Sequence, residues 1–131
     1  MLVSLLNDAR AMGGCCDQEC FEPMPELDSK KQLISAAEFH AVDMIERQFI
    51  SHDDPDGIDA TTRIRRASYR GCAVGENISV GDEDPEVVLD EFMNSYEHCL
   101  NVLEPRFLEV GVALARDEDN EAFWVVTFGG N

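Results

Sequence analysis

The sequence predicts an α+β fold in which several helices pack on a small antiparallel sheet. Apolar residues recur at helical spacing over the first fifty positions and again after Asp84. Near the end, residues 109–115 and 122–128 are short apolar runs. The acidic Arg116-Asp117-Glu118-Asp119-Asn120 separates them, the pattern of two strands joined by an exposed hairpin loop. A length of 131 residues with 44% apolar content suits one domain over residues 1–131. Such a chain buries roughly two-thirds of its extended surface on folding.

Leu2, Leu5, Leu6, Ala9 and Met12 form one face of a short first helix, with Asp8 and Arg10 on the other, and Gly13-Gly14 stops it. Residues 15–25, with two prolines and mixed polarity, read as a loop. Ser29 is expected to cap a long helix reaching about Phe49, with Leu33, Ile34, Ala37, Ala41, Met44, Ile45 and Phe49 inward. His40 lies in that helix and is read as a packed core or boundary residue.

The turn from Ser51 to Gly57 invites a calcium-loop reading with Gly57 in sixth place. That register puts His52 first and Arg63 twelfth, where a bidentate Glu is required, so the reading fails. A short helix should run from Asp59 or Ala60 to about Ala67, with Ile64 and Ala67 inward and Arg63, Arg65 and Arg66 largely outward. Residues 72–80 should be irregular or extended. Asp84 caps the next helix, with Pro85 at its favoured first position. Val87, Val88, Phe92 and Met93 form its buried face, and a further helical turn runs from Ser95 to about Leu103.

Charge narrows the function. With 27 acidic and 10 basic residues the formal charge is −17. Nucleic acid and anionic lipid are excluded as partners, because both need clustered Lys and Arg. No apolar run reaches the ~18 residues of a membrane span. The opening Met1-Leu2-Val3-Ser4-Leu5-Leu6 lacks a basic flank and is not a signal peptide. An exported protein would carry its targeting segment outside these residues.

Five pieces in order carry a resemblance. They are His52-x-x-Pro55-Asp56-Gly57, Gly75-Glu76-Asn77-Ile78-x-x-Gly81, Ser95-x-x-His98-Cys99-x-Asn101, Glu109-Val110-Gly111-Val112 and the terminal run from Phe123 to Gly129. From about Leu5 onward the chain resembles the CAP superfamily (cysteine-rich secretory, antigen 5, pathogenesis-related 1; SCP-like) in its compact bacterial branch. The resemblance implies a three-layer α-β-α sandwich with a small central antiparallel sheet. It also implies a surface cleft of two histidines and two acids able to hold a divalent cation. His52 and His98 match the histidines and Glu76 the first acid. Where the eukaryotic branch has its second acid, three residues after a Trp, this chain has Ser95, with Phe92 in the Trp position. Two neutral imidazoles and a carboxylate would suit a zinc-like ion with open positions for water. The alternative is that Glu76 satisfies buried backbone donors while the histidines bond to it.

Asn77 and Asn101 are read as loop ties supporting the cleft, alongside Ser95. The Asn77-Ile78-Ser79 sequon falls in a segment expected to be buried. Hydrolase signatures such as Gly-x-Ser-x-Gly and His-Glu-x-x-His are missing. Ser51 beside His52 and Ser95 one turn before His98 lack an identifiable oxyanion hole. Cys99 points roughly 100° from its neighbour His98 on a helix, which opposes a nucleophilic pair.

The resemblance further implies a disulfide from Cys99 to Cys15 or Cys16, slightly favouring Cys15, and Cys20 and Cys72 could form a second. The leading expectation is an extracytoplasmic, non-catalytic binding module, secreted, periplasmic or on the cell surface. Its partner would be a small molecule, lipid or protein. A metal-assisted hydrolase using the same cleft is the second expectation, and a purely structural or interaction domain the third.

Overall fold

The structure, a computed structural model, describes residues 1–131. Helix α1 (Leu2–Met12) ends at Gly13, whose φ of 68° lets its N–H reach back to the Ala9 and Arg10 carbonyls. The predicted loop that follows contains a hairpin of β1 (Gly14–Cys16) and β2 (Glu19–Phe21). Strand β3 (Asp28–Ser29) overturns the expected Ser29 cap. Its register opposite Glu109 and Val110, with Lys30 N–H donating to Val110, commits this backbone to the sheet. Helix α2 (Lys31–Arg47) therefore starts at Lys31, without a side-chain cap. Helix α3 (Ala60–Arg66) is capped by Asp59, which accepts from Thr62 N–H. The segment expected to be irregular or extended is strand β4 (Ala73–Gly81). Asp84 and Pro85 start α4 (Pro85–Met93) as predicted, and α5 (Tyr96–Val102) follows. Strands β5 (Glu109–Arg116) and β6 (Ala122–Gly130) close the chain.

The main sheet has the order β3-β5-β6-β4 and is antiparallel except for the two-residue β3–β5 pairing. β6 is buried along its whole length, because it is flanked by strands at both edges and covered by helices on both faces. Its side chains alternate. Phe123 and Val125 meet Ala37, Ala41 and Met44 of α2. Trp124, Val126 and Phe128 meet Leu2 and Leu6 of α1, Val88 and Phe92 of α4, and Cys99 and Val102 of α5. This is the three-layer α-β-α sandwich. Gly111 explains its motif: a Cβ there would collide with the backbone of Leu33 and Ile34, so α2 can lie directly on β5. Thr127 Oγ1 donates to Leu33 O at 2.6 Å from the neighbouring strand.

Two expectations about side chains change. Arg10, placed on the polar face of α1, is fully buried. Its guanidinium donates to the carbonyls of Pro25, Val102, Glu104 and Phe107, stitching α1 to the turns on either side. Val87, expected inward, is exposed, while Val88 and Phe92 hold the buried face of α4.

The disulfides are Cys16–Cys99 and Cys15–Cys20, and Cys72 is free and exposed. Cys16 rather than Cys15 pairs with Cys99, and Cys20 pairs within its hairpin rather than with Cys72. Strand alternation gives the reason. Adjacent residues of β1 face opposite ways, so Cys16 points into the core beside Cys99 while Cys15 lies outward, opposite Cys20 in the register.

Candidate functional site

β4 is the edge strand of the sheet, so helices from both outer layers end beside it. Gly75 to Val80 alternate across the sheet. Glu76 lies on the α2–α3 side with His40 and Arg63, and Asn77 lies on the α5 side. The side chains singled out by sequence thus arrive from three elements: the turn after α2, the middle of β4, and α5.

Glu76 is the centre. It is 5% exposed and both of its oxygens are engaged. Oε1 accepts from His52 Nδ1 at 2.9 Å, and Oε2 accepts from Arg63 Nη2 at 2.8 Å. The expectation that Arg63 faces outward is overturned. Arg63 is buried, and the same Nη2 also donates to the His52 carbonyl at 3.1 Å. A carboxylate buried in the fold needs a paired counter-charge, and Arg63 supplies it from one turn of α3. Helical spacing could not find this, because α3 is short and its arginines are equivalent by pattern. A buried acid predicted in β4 was the available signal.

The turn that carries His52 is built for position. Asp54 Oδ1 accepts from the N–H groups of Asp56 and Ile58, and Gly57 takes a positive φ of 81°. Arg47 clamps it from α2 through Asp54 and Asp56. With Nδ1–H directed to Glu76, neutral His52 keeps its lone pair on Nε2, and the side chain is 53% exposed. The hydrogen bond to Glu76 holds the His52 pKa above the ordinary histidine value, against the opposing effect of burial.

His98 is carried by α5. Asn77 Nδ2 donates to the His98 carbonyl at 3.1 Å, and Asn101 Nδ2 bridges the Glu76 carbonyl and Asn77 Oδ1. These two asparagines tie β4 to α5. The buried Asn77 side chain also removes the sequon from solvent. The His98 ring lies tilted on Phe92 at 5.3 Å between centroids. Burial pushes its pKa down first, and the nearby His52 imidazole adds to that. His98 therefore feels the charge of His52. The carboxylates whose fields reach His98 are Glu91 and Glu97. Ser95, at the position of the second acid, starts α5 without a side-chain capping bond.

His40 is buried as expected, and its Nε2–H donates to the Ser51 carbonyl at 2.8 Å. Nε2 also lies 3.9 Å from Glu76 Oε1. Burial lowers its pKa, so the ring is neutral and packs beneath the His52 turn. No three His, Cys, Asp or Glu side chains converge as a group able to hold a metal ion. Glu76, with one oxygen on His52 and one on Arg63, orients an imidazole and is not free to ligate. What the arrangement offers chemically is an imidazole oriented by a buried carboxylate, with its charge felt by a second imidazole on α5.

A family model described as "CAP: Cysteine-rich secretory protein family" matches residues 3–128. The uncharacterized protein YkwD of Bacillus subtilis (strain 168) is 27% identical over 104 residues, covering 79% of this chain and 39% of that protein. An extracellular SCP-domain protein of Bacillus anthracis superposes with a TM-score of 0.76 at 24% identity, over 99% of this chain and 40% of that one. An outer surface protein of Borrelia burgdorferi gives 0.80 at 19% identity, over 99% and 92%. The chain thus spans about two-fifths of the length of the first two.

Proposed function

The chain belongs to the cysteine-rich secretory protein (CAP) family, and from that premise we propose an extracytoplasmic binding module that presents the His52–His98 pair as its recognition element. The observation that carries this reading is the full engagement of Glu76 by His52 and Arg63, which fixes one half-exposed imidazole with its lone pair on Nε2. A divalent cation at this edge would be held by His52 and His98 alone, with Glu76 as the acceptor that orients His52, a common outer partner of a metal-binding histidine. Such an ion would supply open coordination positions for a ligand's oxygen or nitrogen donors. A more distant fold relative, NaASP2, has been solved with Zn2+ at 12% identity. Two disulfides support placement in an oxidising compartment. The extracellular and outer-surface relatives support the same placement.

Calorimetry with Zn2+ near about pH 7.5 tests the reading, since protonated imidazole cannot ligate. One weak site is expected, fading as pH falls through the histidine range and lost in His52→Ala/His98→Ala. Heat unchanged in that double variant would assign the ion to the acidic surface and end the proposal. The second reading, a hydrolase in the same cleft, draws on the Glu76–His52 pair, which could act as a water-activating base. Turnover of ester or peptide substrates that disappears with His52→Ala would promote it over the module.

A further inference from the structure

We propose that the outer face and the C-terminal end of α2, away from the histidines, are a docking surface for an amphipathic polypeptide helix with one apolar and one basic face. Three large apolar residues stand out of this face: Phe39 at 64% exposure, Val42 at 46% and Ile50, just past the helix end, at 62%. Phe39 and Val42, three residues apart, share one side of the helix, and Ile50 follows its end. Two concavities lie there and share Glu46. The smaller, of about 350 Å³, is bounded by Phe39 and Val42. The larger, of about 660 Å³, lies between the end of α2 and the β5–β6 hairpin, with Phe49, Ile50 and Phe123 among its apolar walls.

The charge around this groove has one sign. Its lining includes Glu38, Glu46, Glu118 and Asp119, none of which is paired with a cation, and no Lys or Arg. Arg47, on the same helix, is taken up by Asp43, Asp54 and Asp56. Its guanidinium also lies 5.7 Å from the centroid of the Phe49 ring, so one face of that ring already carries a cation. Apolar walls with unpaired carboxylates at the rim complement a segment whose apolar side chains enter the groove while its Lys or Arg heads meet the rim. Apolar burial would supply affinity, and the carboxylates would supply register and association rate. Anionic membranes are repelled by the same rim.

The probe is a synthetic amphipathic Lys/Leu peptide of about 14 residues, about four helical turns. Its Lys/Ser counterpart and a Glu/Leu counterpart serve as comparisons, titrated by fluorescence anisotropy at about 0.15 M salt, where long-range attraction is screened. The Lys/Leu peptide should bind, and Phe39→Ser/Val42→Ser/Ile50→Ser should weaken it by about tenfold or more. Glu46→Lys/Glu118→Lys should weaken it similarly, whereas Glu22→Lys/Glu26→Lys, an equal charge change on an exposed remote segment, should not. Backbone amide shifts should concentrate at residues 38–50 and 117–119. Circular dichroism confirms that each variant is folded, and the substituted sites are exposed in every case. Equal weakening by the remote pair, equal binding of the Lys/Ser peptide, or shifts dispersed over the molecule would reduce the effect to the net charge and overturn the proposal. Absence of Lys/Leu binding would overturn it as well. The zinc titration is independent of every residue changed here, so either proposal can fail alone.

Discussion

The surroundings of His52 and His98 displace their pKa values in opposite directions, the first through its hydrogen bond to Glu76 and the second through burial. The hydrogen bond from His52 Nδ1 to Glu76 favours the charged ring, whereas burial of His98 favours the neutral one. The sign for stability follows. The folded pKa of His52 lies above the unfolded value of about 6.5, so its contribution is complete below that pH and is lost as pH rises through the folded pKa. His98 and His40 lie below it, so their contributions are present above about 6.5 and are lost as pH falls through their folded values. In a proton NMR titration, His52 should therefore titrate above His98. Replacing Glu76→Gln should bring the His52 midpoint down and leave that of His98 on the low side. A His52 midpoint unmoved by that substitution would mean that Glu76 does not set its charge.

Among the elements, the β1–β2 hairpin is decisive because it ties α1 to α5, the helix that carries His98. The Cys16–Cys99 bridge spans 83 residues and lies in the core, whereas Cys15–Cys20 closes a hairpin five residues apart. In the chain-entropy account the long loop is worth about 4–5 kcal/mol and the short one about 2 kcal/mol. Chemical denaturation should show these losses for Cys16→Ser/Cys99→Ser and Cys15→Ser/Cys20→Ser respectively. Thiol counting in denaturant without reductant should find one reactive group, Cys72. A larger loss from the hairpin pair, or three or more free thiols, would contradict the pairing. Arg10 serves the same junction by other means. Four carbonyl acceptors satisfy its buried guanidinium, so the ends of α1, α5 and the turn before β5 are held by one side chain.

For the whole molecule, a formal charge of −17 on 131 residues means that the folded state compresses like charges. Raising salt from about 0.01 M to about 0.15 M shortens the screening length from about 30 Å to about 8 Å and relieves that repulsion. A gain of about 1 kcal/mol corresponds to a rise in Tm of about 4 °C for a chain of this size. Differential scanning calorimetry across that range should show the rise. A flat or falling Tm would mean that local ion pairs such as Arg47 with Asp43, Asp54 and Asp56 outweigh the net field.

Periodicity and end signals in the sequence determined α1, α4, α5 and the strands β5 and β6, because each is written in consecutive residues: Gly13 after the first apolar stripe, Asp84-Pro85 before the third, the acidic turn between two apolar runs. Motif order carried the family and the layer arrangement. It also placed Asn77 and Asn101, whose bonds link neighbours that the motifs already pair. The tertiary structure alone decided the rest. Ser29 is strand and not cap because Val110, 81 residues away, accepts from Lys30 N–H. Cys16 rather than Cys15 meets Cys99 because β1 is a strand and its faces alternate. Arg10 and Arg63 are buried because carbonyls and a carboxylate from distant segments converge on them. A charged side chain reads as surface in any local window. Only the partners brought by the fold compensate the cost of removing it from water, and those partners leave no trace in its own neighbourhood of the chain.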